Sequence, residues 1–467
     1  MNEVCLLCAE AGPARASTAP TPHAAAGTPA GASAWQWLQE QGATVTRICG
    51  LVINTDAERL SSLLTKLPAL ESISALSLRA HPGAAVAATQ DFLAGAARVI
   101  GCCSSLRSLD LRIRLVDRLA DRVPGTVWQY LANARALSHL KLTIKSVAHS
   151  GSATTSASHL ISGLAGLSRL RTLSLKLDNV CEDTTLPACV SCLVQLTSLT
   201  LYGLSGLRCA PGWARLPALV SLKFEQCEFA RDGEDALPGM DALAALTCFE
   251  LFLCSGLHVL PASLWRLTRL RTLDDWRIYN NPPYVGVPAS APCFASLTKI
   301  CLTGYKLQCW PSCVLAMTSL TCLDLRHNCF EQLPDAMSVL TCLKELSLGR
   351  HSTGPGEVGG ALDARALGNL AGFPALRSLE FCHCSVQFCP SFQAAAAHPC
   401  LKELELVNSY PACGPSCVAF LIFVAALLQQ GRAGVLCLRD NELQGAGQHD
   451  GQNFRGALQA VGFPLCD

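Results

Sequence analysis

The sequence predicts an α/β solenoid of stacked short repeats, with parallel strands on a concave face and short helices on a convex face. One unit opens at Leu320 and reads L-x-x-L-x-L-x-x-N. Leu323 and Leu325 alternate with polar residues, which is the period of a half-buried strand. The next unit opens 23 residues later, at Leu343. A unit this short buries its apolar side only by stacking on its neighbours.

The same opening recurs along most of the chain. It is found at Ile73, Leu106, Leu137, Leu170, Leu196, Leu219, Leu246, Leu270, Leu297, Leu320, Leu343, Leu376, Leu401 and, more weakly, Ala433. Steps of 23 to 27 residues are typical of a leucine-rich repeat. Steps of 31 to 33 residues leave room for a helix of several turns. We therefore expect about fourteen repeats in one leucine-rich-repeat (LRR) solenoid, shaped as a horseshoe.

The residue eight positions after each opening supports this assignment. It is Asn or Cys in five units: Cys227, Cys254, Asn328, Cys384 and Asn441. An inward amide donates to backbone carbonyls, and Cys is a small, weaker donor that tolerates burial.

Composition divides the chain into a tail and one repeat domain. Residues 1–33 are rich in Ala, Pro, Thr and Gly, so we predict a disordered tail. The LRR domain then spans residues 34–467. It comprises an N-terminal cap at 34–72, repeats at 73–440 and a C-terminal cap at 441–467.

Two segments within the repeats depart from the pattern. Cys417 to Leu428 is an apolar stretch of twelve residues, which is too short to span a bilayer and predicts a buried helix. Asp275 stands where an inward Leu is expected, so we predict an interrupted strand there.

Bulk properties limit the partners and the compartment. Half of the residues are hydrophobic, 15% are charged and the net charge is +1, which favours neither nucleic acid nor an anionic membrane. The chain has 27 cysteines but no N-terminal stretch typical of a signal peptide. We expect reduced thiols and a cytoplasmic protein, with the ciliary axoneme, the cytoskeleton or the nucleus as alternatives.

Two stretches resemble known groups of LRR proteins. The segment WQWLQEQGATVTRICGLVI, from Trp35, resembles the start of the repeat array in algal and plant F-box LRR proteins, although no F-box precedes it. The section from Leu170 to Leu348 resembles the intracellular, Ras-group class of 23-residue repeats. These resemblances imply a protein-binding role.

Motifs for catalysis or cofactors are weak. Gly354 to Gly359 matches G-x-G-x-x-G, but it lies in a long repeat without a Rossmann unit around it. The pair Cys189 and Cys192 lies at helical spacing inside a repeat. In Cys382-His383-Cys384 the last residue occupies the inward position, which leaves too few ligands for a metal. We predict no enzyme activity, no catalytic residue, no cofactor and no metal site.

The concave face should carry the function. Residues flanking the inward leucines form columns along stacked strands, because parallel strands lie about 4.8 Å apart. Tyr202, Phe252 and Trp276 are expected to be exposed on this face, within four neighbouring repeats. Exposed aromatic residues are favoured anchors at interfaces. Cations dominate the early repeats and acids the late ones. The predicted partner-binding residues are Tyr202, Phe252, Trp276, Lys223, Glu250, Asp324 and Arg326.

These observations predict a non-enzymatic scaffold, a monomer that binds a partner protein on its concave face. One alternative is a substrate-recognition subunit of a ubiquitin-ligase complex, which the F-box-type resemblance suggests. Another is a regulatory or axonemal LRR subunit, which rests on family resemblance alone.

Overall fold

The computed structural model forms two compact units, Met1–Ala245 (the first unit) and Leu246–Asp467 (the second unit). The structure describes residues 3–5, 47–53, 74–80, 103–115, 136–146, 163–178, 185–186, 188–210, 212–230, 237–257, 260–276, 295–350, 360–367, 370–412, 415–439 and 456–463, and the separate positions 96, 100, 101, 131 and 134.

The first unit contains a sheet of parallel strands whose order in the sheet is their order along the chain. They are β1 (Glu3–Cys5), β2 (Arg47–Ile53), β3 (Ala75–Ala80), β4 (Ser108–Leu115), β5 (His139–Ser146), β6 (Thr172–Asp178), β8 (Ser198–Tyr202) and β10 (Ser221–Glu225). A second, short ladder pairs β7 (Thr185–Leu186) with β9 (Arg208–Cys209). The predicted repeats from Leu106 to Leu219 therefore each contribute one strand to the sheet.

The second unit repeats this arrangement. Its main sheet contains β11 (Cys248–Phe252), β12 (Thr272–Trp276), β13 (Lys299–Thr303), β14 (Cys322–Asn328), β15 (Glu345–Arg350), β17 (Ser378–Cys382), β19 (Glu403–Val407) and β21 (Leu436–Arg439). Its second ladder contains β16 (Ala361–Asp363), β18 (Ser385–Gln387) and β20 (Tyr410–Pro411). The parallel order confirms the predicted α/β class.

A recurrent pair of hydrogen bonds joins each coil to the next where a strand begins. The amides of Thr321 and Cys322 both donate to the carbonyl of Thr298, at 2.7 and 3.1 Å. The amides of Lys344 and Glu345 donate in the same way to Thr321. Thr321 also donates its hydroxyl to the Thr298 carbonyl. The same two-amide arrangement recurs in both units, so it fixes the register of successive strands.

A left-handed residue ends the strand region of many coils, seven positions after the opening. Positive φ at this position is found in Gly203, Gln226, Leu253, Gly304, His327, His383 and Asn408. The backbone then turns the eighth residue inward. Asn328 is fully buried and donates to the carbonyls of Leu302 (2.8 Å) and Leu325 (2.9 Å). The predicted inward position is confirmed.

Cys residues at the eighth position make the weaker version of this contact. Cys227 donates its thiol to the carbonyl of Leu201 at 3.4 Å, and Cys254 donates to that of Phe252 at 3.6 Å. Cys384 is buried beside Ser409, which occupies the eighth position of the next coil and donates to Val407.

Return segments in the described coils are mostly short 3-10 helices of three to eight residues rather than long α-helices. Their bounds are Gly163–Gly166, Ala188–Cys192, Met240–Ala242, Ala262–Arg266, Ser312–Ala316, Asp335–Val339, Arg365–Leu367, Leu370–Gly372, Pro390–Ala397 and Ala433–Val435. Leu320, Leu323, Leu325 and Met337 of one coil are completely buried, so strand and return segment share one core. The longer helices predicted for the early repeats are described only at single residues, including Ala96, Ile100 and Leu131.

The predicted apolar helix is present as α1, Pro415–Gln429. Phe420 lies 5.2 Å from Phe388 between ring centroids, and Phe423 lies 5.2 Å from Phe392. These contacts place α1 against the last coils and confirm the buried-helix assignment. Among the described residues, no helix is both long and apolar enough to cross a bilayer.

Asp275 corrects one prediction. β12 is continuous through Asp275 and pairs with β11 and β13 without a break in register. The carboxylate points inward, is 1% exposed and accepts a hydrogen bond from the hydroxyl of the buried Tyr305. The strand is not interrupted, because the larger side chain in the next coil supplies the polar partner that the core otherwise lacks.

The predicted domain bounds remain predictions. Within the 1–33 tail the structure describes only Glu3–Cys5, which pair with Arg47–Cys49 of β2. Most of the two predicted caps, Asn441 and the Gly354–Gly359 motif lie outside the described residues. Residues 456–460 are helical.

Candidate functional site

The exposed side of the main sheet, here called the strand face, carries the predicted binding columns. In the first unit, strand register aligns Arg112, Thr143, Lys176, Tyr202 and Glu225 on adjacent strands. The inward residues between them, including Leu111 and Leu175, are buried. The columns predicted from the spacing are therefore present within this unit.

Tyr202 is held in place by its neighbours. The Lys176 ammonium lies 3.8 Å from the centroid of its ring, a cation–π contact. Its hydroxyl donates to the Gln226 side chain. Lys223 forms an ion pair with Glu225 at 3.2 Å beside it. The half-buried ring is therefore fixed in orientation, and only part of it is available to a partner.

In the second unit, Phe252, Trp276 and Thr303 align in the same column. Phe252 is half-buried, whereas the side chain of Trp276 lies outside the described part of the chain. Tyr202 belongs to the first unit, so the three-aromatic anchor stays a prediction. Glu250 accepts a hydrogen bond from the Cys248 thiol at 3.2 Å.

Arg326 is the centre of a charged network on the second unit's strand face. Its guanidinium donates to Asp324 at 2.7 Å and to Glu380 at 2.9 Å. Its side chain is 25% exposed, and those of Asp324 and Glu380 are 13% and 15% exposed. Burial alone would lower the pKa of Arg326, but the hydrogen bonds and charges of both carboxylates outweigh it and raise the pKa.

Gly349 lies on the strand between Arg326 and Glu380. Arg326 lies on β14 and Glu380 on β17, with β15 between them. At the corresponding positions β15 carries Ser347, which donates to Glu380 at 2.9 Å, and Gly349. A Cβ at Gly349 would lie 2.4 Å from the carbonyl oxygen of Cys382. Gly349 therefore lets the Cys382 backbone pack closely against β15, and β15 places no side chain at this position.

Carboxylates outnumber cations on the described strand face of the second unit. Lys299 pairs with Asp274 at 2.6 Å, and Arg326 is shared by two acids. Further acids follow on β15 and β19: Glu345, Glu403 and Glu405. Burial raises the pKa of the neighbouring Cys322 thiol to about 12, together with a hydrogen bond to Glu345 and the negative charge of Glu345. This face is consequently acidic and attracts basic groups.

A second cluster on this unit was missed by the sequence analysis. Among the described residues, ligand atoms of His327, Cys382 and His383 lie within 4.8 Å of one another. The two imidazole centroids are 5.3 Å apart, and Cys382 is buried. Sequence reasoning considered Cys382 and His383 but not His327, which lies two coils earlier. The sequence does contain an indication of this cluster, because both histidines lie seven residues after the openings of their coils.

Comparisons with known proteins identify related folds only. No protein-family profile matches the sequence, and no curated protein matches it. An internalin (inlF) from Listeria monocytogenes aligns at 17% identity over 82% of this chain and 93% of its own, with a TM-score of 0.45. An LRR protein from Leptospira interrogans aligns at 17% identity over 81% and 98%, with a TM-score of 0.48. TLR13, solved with ssRNA13, aligns at 11% identity over 87% and 63%, with a TM-score of 0.47.

At these levels of identity and TM-score, the likenesses say nothing about what this chain binds. The fold follows from the chain itself: a parallel strand, a left-handed turn, an inward residue and a 3-10 return recur from coil to coil in both units. Each unit is an α/β leucine-rich-repeat solenoid.

Proposed function

We propose that this protein is a non-enzymatic scaffold that binds a partner protein through its strand face. The observation that carries the proposal is the acidic network of the second unit, where aligned carboxylates surround Arg326. The favoured partner is a protein with a basic, extended or helical segment that lies across these strands.

Preorganisation supports this role. Arg326 and Ser347 hold Glu380 by two hydrogen bonds, and Lys299 holds Asp274. A partner therefore meets side chains whose conformational entropy is already restricted, which reduces the free energy lost on association. Fixed charges of one sign also accelerate encounter with an oppositely charged partner and select its orientation.

Aromatic anchors would supply the apolar part of the interface. We propose Tyr202, Phe252 and Trp276 for this role, with Lys223, Glu250, Asp324 and Arg326 as further, polar contacts. Tyr202 and Phe252 are half-buried, so part of each residue is accessible to a partner. Aromatic residues commonly dominate the binding energy of protein interfaces.

Co-purification from a native extract tests the aromatic anchors. The intact chain is compared with Y202A/F252A/W276A and with the control V194A/V220A/V339A, whose side chains are exposed apolar groups outside the predicted columns. A partner retained by the control and lost by the first variant supports the site. Equal retention by both variants, or equal loss, would show that these three aromatics are not the anchors.

Charge reversal tests the acidic face separately. E403K/E405K should weaken capture of the same partner by at least tenfold, since two attractive charges become repulsive. The matched control E331K/D335K changes two exposed acids on a loop and a 3-10 turn and should leave capture unchanged. Binding by the intact chain should also fall as salt rises. A salt-independent partner that tolerates E403K/E405K would overturn the electrostatic part of the proposal.

A further inference from the structure

We propose that His327, Cys382 and His383 form a binding site for a zinc ion, with water as the fourth ligand. Their ligand atoms lie within 4.8 Å of one another on the second unit. Two imidazoles and a thiolate are a preferred donor set for Zn²⁺, whereas Mg²⁺ and Ca²⁺ require oxygen ligands. This site is independent of the proposed partner-binding function.

The backbone brings the three ligands together from two coils. His327 lies near the end of β14, seven residues after the opening of its coil, with φ of 57°. His383 occupies the same position directly after β17, with φ of 53°. Cys382 precedes His383 at the sixth position, on the strand face. Identical backbone turns therefore direct both imidazoles to the same side of the sheet, two strands apart.

The intervening coil places no side chain between them. Six residues after its opening lies Gly349, which has no side chain and lets the Cys382 backbone approach closely. Seven residues after its opening lies Arg350, whose guanidinium donates to the carbonyl of Ala361 at 2.8 Å and so turns toward the second ladder. With a larger residue at 349, the imidazoles and the thiol would be separated.

The distances are suitable for a tetrahedral site after a small adjustment. Zn–N bonds of about 2.1 Å and Zn–S bonds of about 2.3 Å place tetrahedral ligand atoms roughly 3.3–3.8 Å apart. The present separations, up to 4.8 Å, close to this range by shifts of about 1 Å or less, within the reach of small χ rotations.

Asn408 is placed to orient one ligand. Its side-chain Nδ2 lies 2.9 Å from His383 Nδ1, and its Oδ1 is buried with no hydrogen-bond partner among the described contacts. Turning the amide over lets Oδ1 accept a hydrogen bond from Nδ1–H, since amide O and N atoms are interchangeable in shape. That hydrogen bond selects the tautomer whose Nε2 lone pair is free to bind a metal.

Nearby charges also favour a cation that binds thiolate strongly. Arg326 carries one positive charge and pairs with two carboxylates, those of Asp324 and Glu380. The surroundings of Cys382 therefore carry a net negative charge. A Zn²⁺ ion that enters this site displaces the thiol proton of Cys382, as it does in other Cys-containing sites.

Cobalt substitution tests the proposal on the full chain after treatment with a chelator. Co²⁺ should bind and give a thiolate-to-cobalt charge-transfer band together with the visible bands of tetrahedral Co²⁺, and Zn²⁺ should displace it. C382S should abolish the charge-transfer band. H327N and H383N should weaken Co²⁺ affinity at least tenfold, and Asn is chosen because it tolerates the left-handed backbone.

Controls separate metal loss from unfolding or from another thiol. C301S changes a buried cysteine of the same face outside the cluster, and H139N changes a histidine of the first unit. Both should keep the band and the affinity. Zn²⁺ should raise the Tm of the intact chain but not that of C382S. A folded intact chain that gives no thiolate–cobalt band would overturn the proposal, as would a C382S variant that keeps the band.

Discussion

Arg326 Nη1 donates to Glu380 Oε1 at 2.9 Å, although a complete strand lies between the two residues. The contact ties three neighbouring coils together, because Ser347 of the intervening strand donates to the same carboxylate. Contacts between adjacent coils are the rule in a repeat protein. A bond that reaches the second coil along adds cooperativity to this part of the second unit.

A double-mutant cycle measures this cooperativity. R326M should lower the free energy of unfolding by about 1–3 kcal/mol, because it leaves Asp324 and Glu380 partly buried without their cation. E380Q should cost less, since a neutral amide still accepts from Ser347. We expect a coupling energy of about 1 kcal/mol between the two positions in denaturant unfolding. Strictly additive effects would mean that the ion pair contributes nothing to stability.

Gly349 should tolerate no side chain. In G349A the new Cβ would meet the Cys382 carbonyl at 2.4 Å and its Cβ at 3.0 Å, so β15 and β17 must separate. We expect a loss of about 2 kcal/mol or more in the free energy of unfolding. G434A is the control, because no atom lies within 4 Å of a Cβ at Gly434. It should change stability by well under 1 kcal/mol, and a similar loss in both variants would contradict the steric explanation.

Asn328 should be the most sensitive of the inward turn residues. N328A leaves the carbonyls of Leu302 and Leu325 and the amide of Leu307 without the side chain that now bonds them. The expected loss is about 3 kcal/mol, measured by denaturant unfolding. N328C should lose clearly less, since Cys already serves at the eighth position in Cys227, Cys254 and Cys384. Equal losses for Ala and Cys would show that the thiol adds no useful hydrogen bond.

Buried thiols should make the protein sensitive to alkaline pH. Burial raises the pKa of Cys313 from the ordinary 9.0 to about 11. The unfolded chain releases this proton at lower pH than the folded one, so the stabilising contribution is complete below pH 9 and is lost as pH rises toward 11. We expect a decrease of about 1–2 kcal/mol over this interval, and a shallower decrease in C313A. Identical pH slopes for the two proteins would disprove this linkage.

The strand pattern was predictable because inward leucines have a fixed period and any coil must bury them. The same holds for α1, whose apolar composition demands that at least one face is buried. The short ladders of β16, β18 and β20 were not predicted, because two or three residues carry no periodic signal. Glu3–Cys5 was missed for the same reason.

Side-chain chemistry was less predictable than the fold. The expectation that an acidic residue cannot point into the core was wrong at Asp275. Its hydrogen-bond partner Tyr305 lies thirty residues away in sequence, so the local pattern does not reveal it. The cluster of His327, Cys382 and His383 depends on the absence of a side chain at Gly349 in the coil between them. Spacing within one repeat does not reveal such a relationship; it requires comparing equivalent positions in alternate coils.

The paired amide bonds at the start of each strand have a mechanical consequence. Each pair joins one coil to its predecessor only, so tension applied to the chain along a unit loads these junctions one after another. Rupture of one junction frees a single coil while the others stay closed. For the 23-residue coil from Leu320 to Cys342, such an event would lengthen the chain by roughly 80 Å. A unit of this kind should extend under force in a series of small steps, with one coil unfolding at each step.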